Sequence, residues 1–467
     1  MDRVGKPSGI ALALLVGACV LGCGEGEGLT EPPRRPVVRV EIVPAVDTLN
    51  AVGDWSHFWA VGRDASGRSV AVPGFEWSSS DESVATVDTA GFAIAVGAGV
   101  ATITAETGGV RGQATLVVEL FAAVSAGVFH TCGLTTAGSA RCWGYNWSGQ
   151  LGDAKTSARA VPGRVAAPPT FVSISAGEGH SCGVMADGSA SCWGHNSHGQ
   201  LGDGTTEQRH APVQVSSELS FTSISAGSAF TCGLAGTRAH CWGRNHYGQL
   251  GDGTISHSGL PVPVAGEHSF VSVSAGGWHG CGVRGDRRVV CWGANWHGQL
   301  GDGTSAQSSW PTPVSGEHAF ASVSAGLEHT CGVTTDGSAY CWGLNANGQL
   351  GDGTTEDRLT PTLVTGGLSF VHMDAGRDHT CGVTASGDTY CWGANSCGGL
   401  GDGTTDERHT PVLVPGGLSF ASLSAGSWHS CGVARDGRPY CWGYNFHGQL
   451  GDGTIDDRYL PVPVVLP

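Results

Sequence analysis

The chain has 467 residues, of which only 14% are charged and 77 are glycine, and its formal net charge is −16. A turn-rich composition of this kind is typical of proteins built from many short strands. The acidic excess argues against docking on the phosphate backbone of a nucleic acid, which requires clustered cations, so no nucleic-acid partner is expected.

The first 22 residues are typical of an export signal. Arg3 and Lys6 form a short basic segment, and the apolar run that follows, residues 10–21, is too short to span a bilayer. The stretch VLGC resembles a bacterial lipoprotein box, which implies cleavage after residue 22 and lipidation of Cys23. We therefore expect an exported protein that is attached to the bacterial envelope or cell surface through this lipid alone. The alternatives are lipidation of Cys19 and a secretory peptide with incidental cysteines.

Residues 23–36 are predicted to form a linker, flexible at first and then Pro-rich, and residues 37–119 a small all-β sandwich. Segments such as VVRVEIVP and ATLVVE alternate in period two, and Gly, Asp and Ser clusters separate them. The segment resembles the bacterial immunoglobulin-like group 2 domain. The matching positions are Trp77, Ser80, Asp81, Val84, Ala85, Val87, Asp88, Gly91, Gly99, Ala101, Thr102 and Ile103. The resemblance implies a spacer or an adhesive unit, and a spacer is expected because no residue pattern here points to a site.

From residue 120 to residue 467 the chain consists of seven repeated units. The first cysteine of each unit recurs every 49 or 50 residues, and a period near fifty indicates a propeller or a solenoid. Unit five, FASVSAGLEHTCGVTTDGSAYCWGLNANGQLGDGTTEDRLTPTLV, contains four strand-like runs, two of them joined by an Asp-Gly turn. Four strands in each of seven units, with no helical period, predict a seven-bladed β-propeller.

The units resemble the regulator of chromosome condensation repeat through SAG..H, DG..YCWG.N..GQLG and P..V. The resemblance covers all seven units and implies a seven-bladed propeller. The founding member of that family exchanges guanine nucleotide on a small GTPase and binds nucleosomes; neither role suits an exported acidic chain, and no nucleotide is expected. The architecture is also similar to that of the type II β-lactamase inhibitory proteins, which implies protein binding through one face. Which terminal strand closes the ring is not predicted.

Each unit has two cysteines that flank the hairpin turn symmetrically, which predicts seven cross-strand disulfides. The predicted pairs are Cys132 with Cys142, Cys182 with Cys192, Cys232 with Cys241, Cys281 with Cys291, Cys331 with Cys341, Cys381 with Cys391, and Cys431 with Cys441. A metal site would need four ligands, and two cysteines per unit do not supply them.

The other repeated residues are predicted to build the scaffold. The Trp of CWG is expected to pack between blades, and the His before the first cysteine to make a structural hydrogen bond, since Phe230 replaces it in unit three. The Asp of GDGT is a turn residue, with calcium binding as the alternative. No catalytic motif is present, so we expect neither enzymatic activity nor a cofactor.

Function is expected in the variable residues of the links after strand one and strand three of each unit, which open on one face, here called the loop face. The predicted ligand-binding residues are Phe129, Tyr145, Trp147, His195, His198, Arg244, His246, Tyr247, Trp278, Trp296, His297, Trp428, Tyr444, Phe446 and His447. Aromatic side chains and Arg on a rigid scaffold are typical of binding hot spots, which favours a protein partner. A surface glycan is the first alternative, and a purely structural envelope protein the second. Cys397 is the odd cysteine on this face, either a free thiol or an intermolecular link.

Overall fold

The computed structural model describes residues 35–166 and 170–465, and every regular element in these ranges is a β-strand. Within them, no helix is long and apolar enough to cross a membrane. The predicted signal segment, Cys23 and nearly all of the linker lie outside the described residues, so those predictions stay as they are.

Ten short strands precede the propeller. They are β1 (Arg39–Val43), β2 (Val46–Leu49), β3 (Trp55–His57), β4 (Trp59–Arg63), β5 (Ser69–Val70), β6 (Glu76–Ser79), β7 (Ala85–Val87), β8 (Phe92–Ala95), β9 (Gly99–Thr107) and β10 (Val110–Val118). They form three sheets, ordered β1-β4-β5, β2-β10-β9-β6 and β3-β8-β7. Alternate residues of β9 and β10 are buried, and their apolar sides meet in one core around Phe58, Ile103 and Leu116. We call this part of the chain the N-terminal unit.

The remaining strands form seven four-stranded antiparallel sheets, each from four consecutive strands. In chain order the blades are: one, β11 (Phe121–Ala126), β12 (His130–Thr135), β13 (Ala140–Gly144), β14 (Arg159–Arg164); two, β15 (Phe171–Ala176), β16 (His180–Met185), β17 (Ala190–Gly194), β18 (Arg209–Gln214); three, β19 (Phe221–Ala226), β20 (Phe230–Ala235), β21 (Arg238–Gly243), β22 (Ser258–Pro263); four, β23 (Phe270–Ala275), β24 (His279–Arg284), β25 (Val289–Gly293), β26 (Ser308–Pro313); five, β27 (Phe320–Ala325), β28 (His329–Thr334), β29 (Ala339–Gly343), β30 (Arg358–Leu363); six, β31 (Phe370–Ala375), β32 (His379–Thr384), β33 (Thr389–Gly393), β34 (Arg408–Leu413); seven, β35 (Phe420–Ala425), β36 (His429–Ala434), β37 (Pro439–Gly443), β38 (Arg458–Pro463). The predicted seven-bladed propeller is confirmed.

Each blade contains the disulfide that the cysteine spacing predicts. In blade one, Cys132 lies directly opposite Cys142 in the register of the second and third strands. In blade three, where the turn is one residue shorter, Cys232 still lies opposite Cys241. The other five bonds join Cys182 and Cys192, Cys281 and Cys291, Cys331 and Cys341, Cys381 and Cys391, and Cys431 and Cys441. Among the described residues, Cys397 is the one cysteine without a disulfide.

The ring closes without any exchange of terminal strands. Around the central opening, one backbone amide of each blade donates to a glycine carbonyl of the next blade, and Ser427 N donates to Gly127 O at 3.2 Å across the last seam. Apolar residues of blade seven, including Val433 and Leu450, share one core with Phe121 and Trp143 of blade one. The seam between blades seven and one is therefore built like the other six.

A buried hydrogen-bond group joins neighbouring blades. Between blades seven and one, the carbonyl of Gln449 accepts both Trp143 Nε1 and Thr131 Oγ1 at 2.8 Å, and Thr131 Oγ1 lies 2.9 Å from His429 Nε2. Because the threonine hydroxyl donates its single proton to the carbonyl, it accepts from the imidazole, which fixes the Nε2–H tautomer. We call this group the blade joint. It confirms the structural roles predicted for the repeated Trp and His.

The joint between blades three and four lacks two members at once. Phe230 takes the place of the histidine in blade three, and Gly280 takes the place of the Thr or Ser in blade four. The aromatic ring lies where an imidazole lies elsewhere, against Gly227 as His130 lies against Gly127. The two replacements agree chemically, because the oxygen of a buried hydroxyl opposite Phe230 would lack the imidazole N–H that it accepts in the other joints. Trp292 still donates to Gln249 O at 2.9 Å.

A second set of inter-blade hydrogen bonds lies at the outer edge of the ring. The glycine after each Asp of GDGT donates its amide to the fourth strand of the next blade, as Gly204 N does to Gly259 O at 3.0 Å. These glycines have φ near +80°, a region that favours glycine. In blade one the position is Ala154, which adopts φ 61° and makes the same bond to His210 O at 2.8 Å.

The N-terminal unit contacts the face of the ring opposite the loop face. Val52 N donates to Asp436 O at 3.2 Å in the hairpin turn of blade seven, and Asp54 forms an ion pair with Arg438 of the same turn. The loop face is therefore left uncovered by the N-terminal unit.

The buried histidines predict a loss of stability in mild acid. Burial lowers the pKa of His130, His180, His279, His329 and His429 to about 3, and that of His379 to about 4. Since the unfolded chain takes up these protons near pH 6.5 and the folded chain does not, the free energy of unfolding decreases as the pH falls from about 6.5 towards 4. Calorimetric Tm values at pH 7.5, 6.5, 5.5 and 4.5 measure this. The double variant His329→Phe, Thr380→Gly, which copies the joint of blades three and four, is expected to show a shallower decline; a Tm independent of pH in this range would contradict the assignment.

Replacing Ala154 by glycine is expected to stabilise the propeller. Glycine relieves the left-handed strain of this position, and the gain is up to about 1 kcal/mol because glycine also gives the unfolded chain more freedom. The matched control is Gly204→Ala in blade two, where the added Cβ meets only ordinary contacts and the backbone strain alone lowers stability. Chemical denaturation of both variants against the wild type measures the two shifts, which must have opposite signs.

Candidate functional site

The structure places all fifteen predicted ligand-binding residues on the loop face. Each lies in a link after a first or a third strand, such as Phe129 between β11 and β12, or Tyr145 and Trp147 after β13. The links keep their shape because a buried asparagine holds them from inside. Asn146 Oδ1 accepts Leu151 N at 2.9 Å, and its Nδ2 donates to the carbonyls of Lys155 and Ser157 at 3.1 Å. Its two variable neighbours are less buried, so their identity changes the surface and not the scaffold.

Seven rings from blades seven and one form the first aromatic cluster. Its members are Phe129, Tyr145, Trp147, Trp428, Tyr444, Phe446 and His447. Phe129 lies at its centre, with its ring centroid 5.2 Å from those of Trp428 and His447 and 6.1 Å from that of Tyr145. Trp147 stacks on Tyr145 at 5.6 Å and is 75% exposed, and Phe446 is 63% exposed. Such rings bury a large area on binding at little cost in side-chain entropy.

The second aromatic cluster lies on blades three and four. The ring of Tyr247 is 4.7 Å from that of Trp296 and 6.0 Å from that of Trp278, in edge-on arrangements. The guanidinium of Arg244 lies over the ring of Trp278 with its Cζ 4.7 Å from the centroid, a cation–π contact. The two clusters therefore face each other across blade two.

A cleft of about 340 Å³ lies between the two clusters. Its lining includes Phe129 and Tyr145 on one side, Arg244 and Trp278 on the other, and His195 and His198 of blade two. We call it the blade-two cleft. The sequence predicted these six residues among fifteen on the loop face, and the structure brings them into one concave site.

Six further residues that line the blade-two cleft were not predicted from the sequence: Ser148, Gln150, Glu178, Gly179, Ser228 and Ala229. Glu178 and Ser228 line it, each directly after an Ala-Gly pair at the inner end of a first strand. The residue at that position differs from blade to blade, and this variation could have marked it as part of the site. The prediction missed it because it considered aromatic and basic residues alone. The charge of Glu178 raises the pKa of His195, although burial has the larger, opposite effect and the net pKa is lowered.

Other predicted residues lie outside the blade-two cleft. His297 contacts Asp357 at 2.7 Å and Glu328 at 3.8 Å, so it belongs to the border of blades four and five. His246 packs against His257 with ring centroids 4.4 Å apart. The predicted ligand-binding residues thus form two aromatic clusters with the blade-two cleft between them.

Blade six departs from the repeat at Cys397 and at Gly399, which stands where the other units have Gln. A pocket of about 10 Å³, lined by these two residues with His379 and Trp428, lies beside the first aromatic cluster. Burial raises the pKa of the Cys397 thiol, which keeps it protonated at neutral pH.

The aspartates of the GDGT loops are engaged by donors. Asp203 Oδ1 accepts the amide and the hydroxyl of Thr205 at 3.0 and 2.8 Å, and its Oδ2 accepts Arg209 Nε at 2.9 Å. Arg358, Arg408 and Arg458 make the equivalent ion pairs. Within residues 35–166 and 170–465, no three His, Cys, Asp or Glu side chains group closely enough to hold a metal ion.

Family models identify the repeated part of the chain. The model of the RCC1-like domain matches residues 220–467, which is more than half of the chain. The chain belongs to the RCC1-like family. Models of the regulator of chromosome condensation (RCC1) repeat match residues 138–184 and 187–234 and, with a second model, 121–150 and 171–200.

Solved structures share the fold of this RCC1-like propeller at low identity. Human WBSCR16 is 23% identical with a TM-score of 0.64, and the match covers 70% of this chain and 94% of that one. Yeast RCC1 (Prp20), in a structure with Kap60, is 20% identical with a TM-score of 0.60 and coverages of 66% and 78%. Prp20p from Saccharomyces cerevisiae, reported with its binding properties to Gsp1p and histones, is 20% identical with a TM-score of 0.59. That match covers 66% of this chain and 80% of the other. These identities establish the fold alone. No curated protein matches the RCC1-like chain significantly.

Calcium is expected to leave the RCC1-like propeller unchanged. Coordination at Asp203, Asp352, Asp402 or Asp452 would have to displace an arginine and a threonine from the same carboxylate, which opposes binding. In the described part of the chain Asp252 and Asp302 have no arginine partner, and there calcium would have to displace the donors of Thr254 or Thr304. Titration calorimetry with CaCl₂ and Tm values in CaCl₂ and in EDTA measure this. A calcium-dependent rise in Tm that Asp352→Asn removes would favour the alternative interpretation of the GDGT loops.

Proposed function

We propose that this RCC1-like protein is an exported, lipid-anchored binding protein, without enzymatic activity, whose loop face binds a protein partner. The observation that carries the proposal is the blade-two cleft, in which aromatic walls from blades one and four enclose polar side chains. A concave, rigid site with aromatic walls and few polar groups is the usual form of a binding site.

The size of the aromatic surface favours a protein over a small ligand. The exposed rings continue beyond the cleft to Trp147 and Phe446 on one side and to Trp296 on the other, across five of the seven blades. Exposed aromatic groups spread around a central pocket resemble the hot spots of protein–protein interfaces. The scaffold beneath them is fixed by disulfides and blade joints, so binding orders few additional groups.

For the N-terminal unit we propose an immunoglobulin-like spacer between the lipid at Cys23 and the ring. Its contacts with the turn of blade seven support this role, because they leave the loop face directed away from the unit. The adhesive alternative has one observation in its favour, the exposed side chains of Trp55 and Trp59. Between them His57 of β3 stacks on Phe92 of the neighbouring strand β8.

Alanine substitutions in the walls of the blade-two cleft test the proposed function. The full chain and its Phe129→Ala and Trp278→Ala variants are assayed against a panel of purified bacterial surface proteins and against a glycan array. We expect at least one protein ligand, with each substitution weakening binding by about tenfold or more. Trp310→Ala is the matched control, since Trp310 is 58% exposed but lies on the outer strand β26.

Three outcomes would contradict the proposal. Protein binding that neither cleft substitution weakens would exclude this surface as the interface. Binding to glycans alone would favour the carbohydrate interpretation. Absence of any ligand, with a normal Tm, would favour a structural envelope protein.

A further inference from the structure

Arg244 is a cationic residue of the blade-two cleft that has no ion-pair partner among the described residues. Among the described residues, no carboxylate lies within ion-pair distance of its guanidinium, and no hydrogen bond from its side chain is present, although Nε is buried. Arg377 offers a direct comparison. It also lies over an aromatic ring of the loop face, 4.8 Å from the centroid of Trp428, but it is paired with Asp378 at 3.1 Å.

The nearest titratable neighbours of Arg244 are histidines, in a protein whose net charge is −16. Burial lowers the pKa of His198, and the charge of Arg244 lowers it further. His257 has its pKa lowered by burial first and then by His246 and Arg244. Its ring is 5.2 Å from that of His198 and 4.4 Å from that of His246, so three imidazoles lie on this side of the guanidinium. The one acidic group that lines the cleft, Glu178, exerts its charge on His195 of blade two.

The ring of Trp278 holds the guanidinium in place. Stacking leaves the edge of the guanidinium plane available, and that edge carries the paired N–H donors that match the two oxygens of a carboxylate. The aromatic walls of the cleft exclude water from part of the site, which strengthens a charge-assisted hydrogen bond formed there. An unpaired buried Nε is a cost to the free protein that a bound acceptor removes.

We propose that Arg244 receives the carboxylate of an Asp or Glu side chain of the protein partner, inserted into the blade-two cleft. The inference rests on the proposed protein-binding function and specifies its chemistry. Charge complementarity selects this occupant, because an unpaired guanidinium repels a cationic side chain and attracts a carboxylate. The partner side chain lies between Trp278 and the first aromatic cluster, with its carboxylate on Arg244.

The test uses a library of random dodecapeptides displayed on phage and selected on the immobilised full chain. The selected peptides are synthesised, each with a matched version in which Asp is replaced by Asn and Glu by Gln. Affinities are measured for the wild type, for Arg244→Gln, and for Arg238→Gln as the control. Arg238 lies in the same blade, beside the turn on the opposite face, so its substitution removes the same charge without touching the cleft.

We expect the selected peptides to be enriched in Asp and Glu. Neutralising the essential acidic residue should weaken binding to the wild type by about tenfold or more, and have little effect on Arg244→Gln. Arg238→Gln should behave as the wild type, and affinity for the wild type should fall as salt is raised from 50 to 500 mM. The Tm of each variant shows that the ring is folded.

The two levels of the proposal fail in different ways. Peptides that require Phe129 and Trp278 but bind equally well to Arg244→Gln would overturn the carboxylate contact and leave the protein-binding function standing. Arg244-dependent binding of an acidic polysaccharide such as a polyuronate, with no peptide or protein ligand, would overturn both. If replacing Asp and Glu by Asn and Gln weakens peptide binding equally for the wild type, Arg244→Gln and Arg238→Gln, the effect is one of general charge. That result would also overturn the contact.

Discussion

The propeller depends on one carbonyl oxygen in each seam between blades. In most seams it belongs to the Gln of GQLG, and it accepts an indole N–H and a hydroxyl from the next blade, as Gln449 does from Trp143 and Thr131. The histidine behind the hydroxyl completes the group. All of these atoms are buried, so each donor must find its acceptor or the seam loses more than one hydrogen bond. The repeated Trp, His and Gln residues are therefore the ones that hold the ring together.

That constraint explains where variation is tolerated. A joint member is replaced only together with its partner, as with Phe230 and Gly280, or where the backbone alone suffices, as with Gly399, whose carbonyl accepts Ser430 and Trp442 without a glutamine side chain. The loop residues beside the buried asparagines take part in no joint. Aromatic side chains and Arg244 occupy these positions without cost to the scaffold, and the surface of each blade changes independently of its core.

The fold and the disulfides could be predicted from the sequence, because residues repeated at a fixed spacing occupy equivalent positions in every blade. A fixed spacing of cysteines around each turn predicts their register, and a period of fifty predicts the number of blades. The closure of the ring was not accessible, since every unit has all four strands and no terminal fragment marks an exchange. The blade-two cleft was only partly accessible. Its walls carry aromatic residues that stand out, whereas Glu178 looks like any exposed acid, and the lack of a partner for Arg244 depends on distances between blades.

The N-terminal unit makes additional contacts at the seam between blades seven and one. The bond from Phe121 N to Gly437 O is present there as in every seam, for example from Phe320 N to Arg287 O. Asp54 and Val52 hold the turn of blade seven from the same side, while Glu119 pairs with Arg141 of blade one. The N-terminal unit therefore joins the two blades on either side of this seam, in addition to the bonds between the blades themselves. A pulling force on the N-terminal unit is therefore applied to blades seven and one together, on both sides of the seam that closes the ring.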